Sequence, residues 1–217
     1  RAAAYAADGA DVIDLGCLPG TPFAHLADSV RELKAAGYRV SVDSMQDDEL
    51  LSGGRAGADY LLSLHLDNLW IARQVPSLPV LIPTQPGDLA SLQQAMRQME
   101  FLDRGYIADP ILDPIHFGFT ESIVRYRQLR QDNPDSEIMM GVGNLTELTE
   151  ADTTGINALL MGMISEMGIT NILTTQVSPH CRSAIREADL ARRIMYWGRQ
   201  VKSLPKQIDD GLSGLHA

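Results

Sequence analysis

Three short apolar runs in this chain close on a carboxylate. DVIDLG at 11–16 carries Asp14, RVSVDSMQ at 39–46 alternates Val40 and Val42 with polar neighbours before reaching Asp43, and GYIADP at 105–110 ends on Asp109. Alternation with a period of two is the signature of a strand, so each run predicts a strand that delivers charge towards one end. The segments between such runs repeat at helical spacing: FAHLADSVRELKAAG stops at Gly37, and DDELLSGGRAG, NLWIARQV, DLASLQQAMRQMEFLDRG, TESIVRYRQLRQ, GINALLMGMISEMG and RSAIREADLARRIMYWGR follow the later strands. With ADYLLSLHL, PVLIPTQP, EIMMGVG and ITNILTTQV as further strands, the pattern gives seven βα units after an opening helix in RAAAYAADGA.

Strands separated by helices at this interval form a parallel sheet, because parallel neighbours need a crossover connection. Two architectures meet that condition, an open doubly wound sheet and an eight-stranded barrel. Polar residues decide between them. An open sheet gathers functional groups at one switch point, whereas nearly every strand end of a barrel opens on one mouth. Asp14, Asp43, Ser63, Gln85, Asp109, Asn144 and Gln176 fall at or just past successive strand ends, which favours the barrel. GCLPGTPF after the first strand is no dinucleotide-binding glycine fingerprint. The expected fold is thus α/β, a (β/α)8 TIM barrel whose first strand lies before Arg1. Residues 1–202 are expected to form the barrel and 203–217 a C-terminal tail.

Composition narrows the function. A formal charge of −10 opposes nucleic acid or an anionic membrane as partner, since both require a basic surface. No apolar run is long enough to span a bilayer, and two cysteines, Cys17 and Cys181, make no disulfide framework. The expected compartment is the cytoplasm.

Asp43 follows a clean strand and precedes a turn. A carboxylate there can accept two N–H donors from a ligand, or merely cap the next helix. Pro110 keeps Asp109 extended and prevents a helix from starting early, so Asp109 should project rather than cap; Asp113 in the same loop is the alternative if the register slips. Asn144, after two glycines in GVGNLTEL, can donate and accept at once, or cap a helix. His65, His116, Asp67 and Asp113 lack metal-site spacing, and no metal centre is expected. Met139, Met140, Met161, Met163 and Met167 read as core filler. SPHCRSAIRE at 178–187 sets His180, Arg182 and Arg186 around a helix start, a candidate anion site of the kind barrels build beside their last strands.

Taken in order, GADVIDLG, AGYRVSVDS, AGADYLLSL, IADPILDPIHFGF and MMGVGNLTEL resemble the second, third, fourth, sixth and seventh strands of the pterin-binding barrel family, which includes dihydropteroate synthases and methyltetrahydrofolate:corrinoid methyltransferases. The DPIL and GVGNLTELTEAD phrases are most similar to a dihydropteroate synthase-related branch of organisms that make tetrahydromethanopterin-type cofactors. The resemblance implies pterin binding by Asp43, Ser63, Asp109 and Asn144, with Asp14 and Gln176 beside them. It implies a transferase joining a hydroxymethyl-dihydropterin diphosphate to an arylamine in folate or tetrahydromethanopterin biosynthesis, usually with Mg2+, in a barrel commonly found as a homodimer. The same resemblance also includes methyl transfer to a corrinoid partner and a non-catalytic pterin-binding domain. The chain departs from folate-type synthases in three places: LPGTPF replaces a serine-threonine-arginine loop, Asn144 and Leu145 replace a basic pair, and TTQVSPH replaces an arginine and a histidine.

Overall fold

The computed structural model describes residues 1–212, which fall into two compact units: residues 1–6 with 10–111, and residues 7–9 with those from 112 onward. The chain opens with α1 (Ala2–Ala7). In the first unit, β1 (Ile13–Gly16), β2 (Val40–Asp43), β3 (Tyr60–Leu64), β4 (Leu78–Leu81) and β5 (Ile107–Ala108) form one parallel sheet in sequence order. The intervening crossovers are α2 (Leu26–Ala35), α3 (Asp47–Ala56), a short 3-10 helix at Leu69–Arg73 and α4 (Leu89–Phe101). Where the spacing predicts a helix over NLWIARQV, the chain makes a 3-10 helix of five residues, Leu69–Arg73.

Alternation along β2 sorts its side chains. Val42 faces the helices: a Cβ placed on Gly53 of α3 would come within 2.7 Å of Val42, and one on Gly54 within 2.8 Å of Val75. Glycine is what allows α3 to lie this close to the sheet. Val42 pairs with Leu61, and Asp43 pairs with Leu62 on the opposite face. Buried Val40, Leu50, Leu64, Ile71, Leu81, Leu92, Met96 and Met99 fill the layer between sheet and helices. At the N-terminal end of β2, Asp59 accepts hydrogen bonds from Val40 N at 2.8 Å and Lys34 Nζ at 2.6 Å, which fixes that end by charge and leaves the opposite ends of the strands to other groups.

The second unit contains α5 (Phe119–Asp132), β6 (Met139–Gly141), a single helical turn α6 (Gly143–Thr146), α7 (Thr153–Met167), β7 (Asn171–Leu173), a 3-10 turn at Pro179–Cys181 and α8 (Ala184–Val201). β6 and β7 pair in parallel, Met139 with Asn171 through Gly141 with Leu173. Tyr126, Leu129, Met140, Leu160, Met161, Ala188 and Ala191 make its core. Met139, Met140 and Met161 are buried as core filler, while Met163 and Met167 are half-buried. Arg130 near the end of α5 donates to five carbonyls, those of Asn133, Pro134, Ser136, Met167 and Gly168, at 2.7–3.4 Å. One guanidinium thereby satisfies the orphan carbonyls of two helix ends. Gly168, at φ 63°, ends α7 in the left-handed conformation that glycine adopts without strain.

Of the tail expected at 203–217, residues 203–212 carry no helix or strand, and 213–217 lie outside the described residues. Among the described residues, no helix is long and apolar enough to cross a membrane.

Candidate functional site

The first unit concentrates its polar groups on the sheet face turned away from the helices, towards the C-terminal ends of the strands. Asp43 is the last residue of β2, as the sequence predicts, and Asp109 directly follows β5. Asp14 lies two residues inside β1 instead of at its end, level with Ser41 of β2. That register brings the Ser41 hydroxyl to Asp14 Oδ1 at 2.6 Å, and one strand further on the Ser63 hydroxyl donates to Asp43 Oδ1 at 2.6 Å. Each carboxyl group is thus held by a serine on the next strand. The Ser41 partnership was signalled in the sequence, since Ser41 stands two residues before Asp43 and must share its face.

Desolvation pushes the Asp14 pKa up to about 7, the charge of Asp43 pushes the same way, and the Ser41 hydrogen bond opposes both. Near neutral pH the Asp14 carboxyl is therefore partly protonated and can donate as well as accept.

Asp109 is buried, and its Oδ1 accepts from Ile111 N at 2.8 Å across Pro110. Its own N–H donates to Leu81 O at 2.8 Å, continuing the sheet one residue past β5. The alternative residue, Asp113, is committed elsewhere in the second unit, to an ion pair with Arg125 at 2.8 Å.

Beside β1 and β2, the loop at 17–25 is fastened by a residue that sequence reasoning overlooked. Glu49 of α3 accepts from Phe23 N at 2.9 Å and from Ser44 Oγ at 2.5 Å. The Ser44 hydroxyl and the Phe23 amide hold its carboxyl below the usual range, against a smaller opposing effect of burial. Cys17, whose N–H donates to Asp43 O, has its thiol pushed up to about 12 by desolvation and then by Glu49. It is a protonated thiol, unsuited to nucleophilic attack.

The remaining candidates belong to the second unit. Asn144 sits within α6 rather than capping a helix, and one hydrogen of its Nδ2 is donated to Leu112 O at 2.7 Å. Gln176 lies three residues past β7, accepts from Ile185 N at 3.2 Å and donates to Asp8 Oδ2 at 3.4 Å, so it caps the first turn of α8. His180 Nε2 lies 3.0 Å from Thr146 O, while Arg182 and Arg186 are exposed with no hydrogen bond or ion pair among the described residues. Two backbone donors of this loop are taken by Glu147, whose carboxylate accepts from Val177 N at 2.7 Å and Ser178 N at 3.0 Å. Burial works against ionisation of Glu147, but these bonds and the Ser178 hydroxyl outweigh it and hold its pKa below the ordinary value. No local sequence signal marks Glu147, because its partners lie 30 residues away.

No protein-family model matches the chain. An uncharacterized protein of Methanocaldococcus jannaschii is 32% identical over 94% of this chain, and the chain spans 42% of that protein's length. Among solved structures, dihydropteroate synthase from Thermus thermophilus in complex with 6HMPPP superposes with a TM-score of 0.71 at 16% identity, over 91% of this chain and 87% of that one. The Coxiella burnetii dihydropteroate synthase in complex with pteroic acid gives 0.70 at 17% identity, over 92% and 84%. At these identities the likeness speaks for architecture. The chain has the α/β TIM-barrel fold of the dihydropteroate synthases.

Proposed function

We propose that this chain is a pterin-binding domain of a dihydropteroate synthase-like transferase, which joins a hydroxymethyl-dihydropterin diphosphate to an arylamine in folate- or tetrahydromethanopterin-type cofactor synthesis. The observation that carries this reading is the polar face of the first unit: Asp14 and Asp43 on adjacent strands, each tethered by a serine, with buried Asp109 after β5. An aminopyrimidinone edge presents several N–H donors, and fixed carboxylates in partly desolvated surroundings are matched acceptors for them. The likeness to synthases solved with 6HMPPP and with pteroic acid supports the same ligand class.

In this reading the aspartates bind and orient. The chemistry is displacement of diphosphate from the pterin methylene by the arylamine nitrogen, helped by positioning and by stabilisation of the departing charge. Among the described residues, no three His, Cys, Asp or Glu side chains converge as a metal cage. Magnesium, in a reaction of this class, would be held chiefly by the diphosphate oxygens, as that ion commonly is.

A second reading, a pterin-binding domain without synthase turnover, is favoured by Glu147, which uses the backbone donors that a diphosphate would otherwise find in the loop after β7. Fluorescence titration with hydroxymethyl-pterin and with its diphosphate ester separates the two. Clearly tighter binding of the diphosphate supports the synthase, equal binding supports the second reading, and no binding of either refutes both. Asp109→Asn should weaken pterin binding by at least about tenfold, the loss of one charge-assisted hydrogen bond, with a nearly unchanged Tm; unchanged affinity removes Asp109 from the site.

A further inference from the structure

Ser63 breaks the rules of its own strand. It has φ 68°, in the left-handed region that side chains other than glycine and asparagine rarely enter, and the β3–β4 register shifts between Leu61 and Leu64. In an unbroken strand Ser63 would follow Leu61 onto the helix-facing side, because residues two apart share a face. Leu61 is level with Val42, which faces α3. The distortion carries Ser63 to the other face, where its hydroxyl meets Asp43 Oδ1 at 2.6 Å. No other hydrogen bond reaches the Asp43 carboxylate among the described residues.

From this geometry we infer that Ser63 is a positioning residue: the irregularity in β3 exists to place its hydroxyl against Asp43 and fix that carboxylate for the ligand. Strained backbone of this kind persists where surrounding structure over-determines it, and functional sites are where it concentrates. The chemistry of a hydroxyl adds a selective element. Ser63 has a single hydrogen and gives it to Asp43, so the carboxylate it holds offers a ligand acceptor sites alone. The held carboxylate therefore suits a ring edge that presents adjacent N–H donors and disfavours one that presents a ring acceptor at the same place.

This inference rests on the pterin-binding reading, and three variants test it separately from that reading. Ser63→Gly removes the hydroxyl but adopts φ 68° without strain, so its Tm should equal or exceed that of the unaltered chain. Its affinity for hydroxymethyl-pterin should nonetheless fall about tenfold, as expected when a carboxylate that was held must be ordered on binding. Ser63→Asn, which tolerates the left-handed conformation and can donate its amide to Asp43, should recover most of the lost affinity. In an Asp43→Ala background, which leaves the hydroxyl no side-chain acceptor at position 43, Ser63→Gly should cause little further loss, because its effect passes through Asp43. Equal affinity of Ser63→Gly and the unaltered chain overturns the inference while leaving pterin binding intact. So do additive losses in the double variant, which would mean that Ser63 touches the ligand directly. Failure of the unaltered chain to bind the pterin overturns the pterin reading and the inference with it.

Discussion

Replacing Asp14 with asparagine should change how the stability of the chain depends on pH, and the sign follows from the site. The folded chain holds this carboxyl's pKa at about 7 through desolvation and the neighbouring Asp43 charge, whereas the unfolded chain leaves it at the ordinary value of 3.8. Between those two pH values the native state binds a proton that the unfolded state has released. Stability linked to Asp14 is therefore fully present below about pH 4 and is lost as pH rises through about 7. A separation of this size corresponds to about 4 kcal/mol as an upper bound, at about 1.4 kcal/mol per pH unit. Asparagine keeps an oxygen for the Ser41 hydroxyl at nearly the same volume and never ionises, so the variant escapes the loss. Urea unfolding of both proteins at several pH values from 4 to 8.5 measures the difference directly, and comparison of the two cancels every other titrating group. The variant should gain on the unaltered chain steadily between pH 4 and 7, then hold a constant advantage above that. Parallel stability profiles would show that Asp14 titrates normally and that its surroundings are wet, refuting the argument.

Two further substitutions test the frame around the site. Gly53→Ala should destabilise by about 1–2 kcal/mol in chemical denaturation: alanine is the better helix former by about 1 kcal/mol, but its methyl would collide with Val42 at 2.7 Å and overpacking outweighs that gain. Arg130→Met should cost about 3 kcal/mol by the same measurement, because it orphans carbonyls at two helix ends that the guanidinium now satisfies; a loss below about 1 kcal/mol would mean that water replaces it freely.

How much of this was legible in the sequence differs between backbone and side chains. Periodicity located the seven strands of the described residues and most of the helices between them because each signal is local: Val40 and Val42 alternate within one strand, and Gly37 and Gly57 stop helices at their own positions. Asp43 and Asp109 were legible for the same reason, since a carboxylate that ends an apolar run is visible without knowing its neighbours. The hydrogen bonds that Asn144 and Gln176 make, to Leu112 O, Asp8 and Ile185 N, were not legible. Those partners are set by how loops pack, which residue spacing does not encode. Glu49 and Glu147 escaped notice because each lies in an ordinary polar stretch and acts on a distant loop. The Ser63 distortion left no trace either, since serine is commonplace in strands and nothing in YLLSL announces a positive φ.

Glu147 has a consequence for any anion that approaches the loop after β7. The Val177 and Ser178 amides already bind a carboxylate belonging to the same chain, and a tethered group acts at an effective concentration of order millimolar or higher. A phosphate diffusing in from solution enters a competition against an intramolecular rival that never leaves the vicinity. Simple inorganic anions at ordinary concentrations would seldom win it, whereas a polyanion anchored by a second attachment competes on equal, intramolecular terms. An anion that binds this loop would thus have to displace Glu147 first, which favours one already held at a second point.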